Sequence, residues 1–294
     1  MRAKRVLVTG ASSPLGRAVG RHLQKSGHVA LGTVRRDPNT ATLTMFDELS
    51  ILDLSHSIVD TYLVKSLDAI IHVAAESYGT PAQMMTTNAV GTFRLASAAI
   101  ARGVARFVYV SSTSVYGSAP TSELCSTSPI SYQSAYGVSK WGGESYLHSL
   151  RDQISCVSVR SPAIVGTQSN PHFLQRVRSS MQSDEPIIAA SHPDFLFNNV
   201  IHEDTLAEFL VRLALTHSDG FKAFPVGSLR DVTLRELLSF MSEAACYRGQ
   251  VVWSEAADRP FSINLDDAIK LGLEPLTALE TIRRWTLAWN QTIK

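Results

Sequence analysis

Tyr136 and Lys140 stand four apart in Tyr136-Gly137-Val138-Ser139-Lys140, a spacing that puts both on one face of a helix. A tyrosine hydroxyl, with an unperturbed pKa near ~10, exchanges protons poorly at neutral pH. A lysine ammonium beside it favours the phenolate and lowers that pKa. A serine hydroxyl, available at Ser111-Ser112, can hold the oxygen of a substrate alcohol or ketone. Together these groups suit proton transfer at a carbonyl or carbinol while a hydride moves elsewhere. Tyr-x-x-x-Lys alone is a weak motif that an exposed helix can carry by chance. Here it gains weight from a dinucleotide-type turn in the same half of the chain.

That turn follows the run Arg5-Val6-Leu7-Val8-Thr9, which reads as a buried parallel strand. Gly10-Ala11-Ser12-Ser13-Pro14-Leu15-Gly16 comes next. A helix over 17–26 is expected, with Leu15, Val19 and Leu23 on one face and Gly27 ending it. His28–Val34 is the next strand. Strand, glycine turn, helix and strand form the βαβ unit that seats a pyrophosphate on a helix N-terminus. Gly10 permits the tight turn and Gly16 close helix–strand packing. Ser13 stands where a middle glycine is usual and can donate its hydroxyl to a phosphate, so Gly10, Ser12, Ser13, Pro14, Leu15 and Gly16 are candidate cofactor contacts.

These segments resemble the extended short-chain dehydrogenase/reductase family, in its nucleotide-sugar epimerase, dehydratase and reductase branch, over nearly the whole chain. Asp53-Leu54 is similar to the family's adenine-contacting pair, and Ile71-His72-Val73-Ala74-Ala75 to its fourth-strand motif along the cofactor. Asn88-Ala89-Val90-Gly91-Thr92 resembles its Asn-x-x-Gly-Thr helix. Val110–Gly117 resembles the catalytic-serine strand and loop, and Arg160-Ser161-Pro162 the segment at the nicotinamide end. Val200–Asp204 and Leu271–Pro275 are similar to later landmarks. The resemblance implies a Ser112, Tyr136 and Lys140 catalytic set, with Ser112 preferred over Ser111 because it lies four before Tyr116. It implies cofactor contacts at Asp53, Leu54, Val73, Ala74, Ala75, Asn88 and Pro162, beside those from Tyr136 and Lys140, the latter reaching the nicotinamide ribose.

Cofactor choice turns on Thr33-Val34-Arg35-Arg36. An acid at the end of the second strand would bind the ribose hydroxyls of NAD, whereas Arg35 and Arg36 suit the 2′-phosphate of NADP. NADP is therefore favoured over NAD. Asp37 is the alternative ribose ligand. Family dehydratases carry an Asp-Glu pair where this chain has Thr113 and Ser114, which cannot serve as acid and base for loss of water. Epimerisation and ketone reduction remain, and the lean toward NADP favours a reductase. Relatives that bind nucleotide sugars have an Asn at the position of Ala163 and an Arg at that of Asn198. Arg259 resembles a third, retained substrate contact. Arg176 and Arg178 read as a solvated helix face. His72 reads as a packed strand histidine rather than a metal ligand, and Trp285 and Trp289 as core or interface packing.

The expected activity is that of a NAD(P)-dependent oxidoreductase or epimerase acting on a secondary alcohol or ketone, foremost of a nucleotide-linked sugar. The alternatives are an NADP-dependent reductase of a non-nucleotide carbonyl compound and a non-catalytic dinucleotide sensor. The three catalytic residue types, all present, favour an enzyme.

The expected architecture is a Rossmann-type doubly wound α/β parallel sheet over residues 1–165. A strand near 223–226 rejoins that sheet, and 166–294 is mainly a smaller substrate-binding lobe. Further strands are expected at Ala69–Ala74, Arg106–Ser111 and Ser155–Arg160. Helices are expected at Pro81–Arg102, Ala135–Arg151, Phe173–Ser183, Asp204–Thr216, Leu234–Ala245 and Thr277–Gln291. The stretch 118–134, rich in Ser, Thr and Pro, reads as a loop over the active site. Of the 294 residues 45% are apolar and 18% charged, as in a globular protein, and the net charge of +1 excludes an electrostatic case for nucleic acid or membrane. Three dispersed cysteines suit free thiols in a reducing cytoplasm. No signal peptide or membrane span is expected. The resemblance implies a homodimer through the two helices at 81–102 and 135–151, which carry small and apolar residues on more than one face, including Ala96, Ala98, Ala99, Ile100, Tyr146 and Leu147.

Overall fold

The structure is a computed structural model. It describes residues 2–36, 44–56, 66–118, 121–131, 133–167, 173–189, 192–216, 219–253 and 261–291. Its centre is a parallel sheet that has seven strands among the described residues: β1 (Arg5–Thr9), β2 (Val29–Val34), β3 (Glu48–Ile51), β4 (Ala69–His72), β5 (Arg106–Ser112), β7 (Ser155–Ser161) and β11 (Phe221–Pro225). The spatial order is β3-β2-β1-β4-β5-β7-β11. Chain direction across the sheet reverses beside β1, so a crevice opens between the carboxyl ends of β1 and β4. β6 (Glu123–Leu124) pairs with β13 (Ser262–Ile263), β8 (Ala163–Val165) with β10 (Val200–His202), and β9 (Ile187–Ala189) with β12 (Val251–Trp253).

Alternation along the central strands divides the core in two. Val6, Val8, Val108, Val110, Val157 and Val159 face α1 (Pro14–Lys25) and the helix Glu203–Leu215. Leu7, Phe107, Tyr109 and Cys156 face the opposite layer, which includes Leu95, Ala99 and Leu147. The segments flanking the Glu203–Leu215 helix build a third cluster around Trp285, Leu237 and Met241. The two tryptophans of that cluster are packed edge to face with ring centres 4.9 Å apart, in line with core packing. Arg178 differs from the solvated reading: its guanidinium lies over the Trp289 ring at 5.0 Å.

The helix after β4 is not uniform. It opens as α2 (Pro81–Met84), capped by Thr80 and Gln83, widens into a π-helical turn at Met85–Val90, and continues as α3 (Gly91–Ala101). The catalytic-motif helix is α4 (Ala135–Ser149), followed in chain order by α5 (Phe173–Ser183), α6 (Glu203–Leu215), α7 (Leu234–Ala245), α8 (Asp266–Lys270) and α9 (Ala278–Gln291). The 118–134 stretch departs from a plain loop. Its β6 strand ties it to β13, and none of its described residues lines the crevice. Of the apolar positions expected at a dimer face, Ala96, Ala98, Ala99 and Leu147 are buried in the core. The large apolar residues that α4 and the Pro81–Ala101 helix expose are Met85, Phe93 and Tyr146.

Among the described residues no helix is long and apolar enough to cross a membrane. Cys125, Cys156 and Cys246 are free thiols.

Candidate active site

The carboxyl ends of β1, β2, β3, β4, β5 and β7 meet residues of α1, α4 and α6 around a cleft of about 650 Å³. The turn after β1 forms one wall. Gly10 has φ +69°, a left-handed conformation, and a Cβ there would sit 2.8 Å from the Ala74 nitrogen. Ser13 caps α1: its hydroxyl accepts from the Gly16 N–H at 3.0 Å and donates to the Gly10 carbonyl at 2.8 Å. Pro14 occupies the first helical turn, where its missing N–H costs nothing. The helix N-terminus so formed faces the cleft and suits a phosphate.

Of the residues singled out in the sequence, Gly10, Ser12, Ser13, Pro14, Leu15, Arg35, Asp53, Leu54, Val73, Ala74, Ala75, Ser112, Tyr136, Lys140 and Pro162 line this one cleft. Three others do not. Gly16 packs against the Gly10 carbonyl. Arg36 is exposed. Asn88 is buried: its amide donates to the Glu76 carbonyl at 2.8 Å and to Ser139 Oγ at 2.9 Å, and accepts from the Glu76 N–H at 2.7 Å. It joins the loop after β4 to α4. Arg259 lies outside the described residues, as does Asp37.

Sequence reasoning assigned no cleft role to Thr33, Tyr78, Thr87, Thr113, Ser114, Ile164 and Glu203, which also line the cleft. Thr33, Thr113, Ser114 and Glu203 lay within segments that the sequence singled out; Tyr78, Thr87 and Ile164 carried no local signal. Glu203 is buried, and its carboxylate accepts from the Thr167 N–H and hydroxyl, both at 3.0 Å.

Tyr136 sits in the first turn of α4, whose N-cap Ser134 accepts from the Gly137 N–H at 3.0 Å. Ser112 ends β5. Its hydroxyl accepts from the Ser114 N–H at 3.1 Å and donates to Ser114 Oγ at 3.0 Å. Lys140 is buried, with Nζ 4.2 Å from the centre of the Tyr109 ring. Burial pushes its pKa down to about 7, against the pull of Glu144. Tyr136 departs from the sequence expectation. Burial, aided by Tyr78, pushes its hydroxyl up to about 12. The Lys140 ammonium is turned to the Tyr109 ring instead.

Two buried polar systems hold these elements. Arg160 donates to both Glu144 oxygens, closest at 2.8 Å, and to the Tyr116 hydroxyl at 2.8 Å, binding β7 to α4 and to the turn after Ser112. His72 bridges Thr9 Oγ1 at 2.6 Å and Thr92 Oγ1 at 2.9 Å, so it is a packed strand histidine. Burial drives its pKa down to about 3, with Lys140 adding to the effect, and the ring is neutral. Among the described residues no group of His, Cys, Asp and Glu could hold a metal.

The cleft fits a dinucleotide. A glycine turn and a helix N-terminus stand at one end and a hydroxyl set at the other. Ser111 Oγ is buried on the cleft wall, with no hydrogen-bond partner among the described residues.

A family model described as the NAD dependent epimerase/dehydratase family matches residues 6–219. A UDP-glucose 4-epimerase of Mycolicibacterium smegmatis is 31% identical over 185 residues, 57% of this chain and 58% of that protein. The chain thus matches little more than half the length of that relative. Among solved structures, a putative epimerase from Burkholderia cenocepacia superposes with a TM-score of 0.84 at 23% identity, covering 98% of each chain. UDP-glucose 4-epimerase from Thermotoga maritima, solved with UDP-glucose, gives 0.83 at 18% identity, covering 99% of this chain and 100% of that one. Both likenesses are in fold, and they match the parallel α/β sheet described above.

Proposed function

The chain belongs to the NAD dependent epimerase/dehydratase family, and from that premise we propose a nicotinamide-dependent epimerase or oxidoreductase that acts on a secondary alcohol or ketone of a nucleotide-linked sugar. The observation that carries the proposal is the convergence of Ser112, Tyr136 and Lys140 on the cleft that the Gly10 turn also lines.

Gly10, Ser12, Ser13, Pro14 and Leu15 would hold the pyrophosphate, Asp53 and Leu54 the adenine end, and Lys140 and Pro162 the nicotinamide end. The nicotinamide, when bound, supplies hydride transfer at carbon. The chain's own residues manage the oxygen. Ser112 donates to it, and Tyr136 takes or returns its proton. With the Tyr136 hydroxyl raised in the chain alone, the phenolate must be stabilised in the complex, and Lys140, four residues on along the same helix, is the group proposed to do so. Thr113 and Ser114 line the cleft and lack the acid–base pair for dehydration, which leaves epimerisation and reduction.

Arg35 lines the cleft at the end of β2 and Arg36 does not, so NADP is the proposed preference, with Arg35 as its contact. The double variant Arg35→Ala, Arg36→Ala should weaken NADP by roughly one to two powers of ten and spare NAD. Equal losses for both cofactors would make the arginines surface charges.

A second reading, reduction of a carbonyl compound without a nucleotide, draws on two residues. Ala163 offers no amide to a sugar nucleotide. Asn198, standing where an arginine was expected, is engaged by the Ile263 backbone: its amide donates at 2.8 Å and its oxygen accepts at 2.9 Å. Incubating the protein with UDP-glucose and trace cofactor, and separately with NADPH and simple ketones, separates the two. Interconversion of UDP-glucose with its 4-epimer and no net change in cofactor supports the first. Net oxidation of NADPH by simple ketones alone supports the second.

The surface of Met85, Phe93 and Tyr146, where the last two rings lie 5.0 Å apart, is the proposed homodimer face. The lobe around Trp285 is the proposed substrate-binding part.

A further inference from the structure

We propose that Glu76 is a cofactor-specificity residue, whose carboxylate competes with the 2′-phosphate of NADP for the Arg35 guanidinium. The inference rests on the reading that Arg35 faces the 2′ position.

Arg35 follows β2 and Glu76 follows β4, and these strands flank β1 on opposite sides. The two side chains nevertheless meet, Arg35 Nη1 lying 2.9 Å from Glu76 Oε2. Because β1 and its Gly10 turn lie between them, the ion pair spans the crevice. Arg35 lines the cleft, as do Ala75 and Ser77 on either side of Glu76.

The partners are unequally held. The Asn88 amide grips both the N–H and the carbonyl of Glu76, at 2.7 and 2.8 Å, and the Tyr78 N–H donates to the carboxylate at 3.3 Å. The Arg35 side chain is 59% exposed against 21% for Glu76. The guanidinium is the partner that can move; the carboxylate stays. Partial burial raises the Glu76 pKa, but hydrogen bonds from Arg35 and Tyr78 outweigh it and hold the group below its ordinary value, ionised at neutral pH.

A 2′-phosphate must take the guanidinium from Glu76 and then sit near an ionised carboxylate. A ribose 2′-hydroxyl has no charge to do either, and the pair persists beside NAD. Glu76 therefore weakens NADP selectively.

The test is a titration of NADP and NAD into the wild type, Glu76→Gln, Arg35→Ala and the double variant. The Glu76→Gln change removes the charge and keeps a side-chain oxygen for the Tyr78 N–H. Glu76→Gln should bind NADP roughly fivefold more tightly and change NAD by less than about twofold, since an exposed ion pair is worth a factor of this size. Most of the gain should be lost when Arg35 is already alanine, since only the repulsion between carboxylate and phosphate then remains. Equal changes for both cofactors, as a purely structural role for the loop would give, overturn the proposal, as does no change. If Arg35→Ala costs NADP while Glu76→Gln changes nothing, the role of Glu76 alone is wrong. If Arg35→Ala spares NADP, the reading of Arg35 fails first and takes the inference with it.

Discussion

At the residue scale, the buried Lys140 and His72 are coupled, the lysine charge adding to the burial that keeps the imidazole neutral. Lys140 lies over the Tyr109 ring at 4.2 Å, with its pKa pushed down to about 7 by burial. Lys140→Met should weaken cofactor binding as well as slow turnover, and unchanged cofactor affinity in a titration would limit Lys140 to proton transfer. His72 gives a pH prediction. Its folded pKa of about 3 lies below the ordinary 6.5, so between those values the unfolded chain binds a proton that the fold refuses. The contribution is fully present above the upper value and is lost as pH falls toward the lower one. The wild type should therefore lose stability to urea more steeply than His72→Gln between about pH 6.5 and 4. Parallel losses would show that His72 does not carry the dependence.

At the scale of elements, the close seating of α4 on the turn after β5 brings Tyr136 and Ser112 to one wall. A Cβ at Gly137 would fall 2.4 Å from the Ser114 carbonyl oxygen. Gly137→Ala should therefore cost about 1–3 kcal/mol of stability by overpacking. It should also lower turnover by moving Tyr136 away from Ser112, with denaturant melts and steady-state rates as the checks. The strands and helices themselves were legible, because period and caps are local. Arg5–Thr9, Phe173–Ser183 and Leu234–Ala245 appear with the limits expected from pattern alone. The π-helical turn at Met85–Val90 and the β6–β13 pairing were not legible. The first turns on backbone hydrogen-bond register within a helix, and the second joins segments about 140 residues apart. The same limit explains the site. Motifs located Ser112, Tyr136 and Lys140, but only tertiary packing could show Lys140 turned to Tyr109, Arg35 tied to Glu76 and Asn198 engaged by Ile263.

At the scale of the whole molecule, the sheet order opens a crevice beside β1, and the cluster around Trp285 forms a further core outside the two that cover the sheet. The exposed apolar face of α4 and the Pro81–Ala101 helix belongs to the same scale. Light scattering at micromolar concentration should report a dimer, and Phe93→Glu should shift it to a monomer. A strictly monomeric wild type would remove that assignment. The central claim is that this family member moves a proton through Tyr136 while a bound nicotinamide cofactor moves the hydride. Measuring cofactor affinity and turnover of Tyr136→Phe, on whichever substrate the wild type converts, tests it most directly. The account predicts near wild-type cofactor binding with turnover lowered by about 10²–10⁴-fold; turnover close to that of the wild type would contradict it.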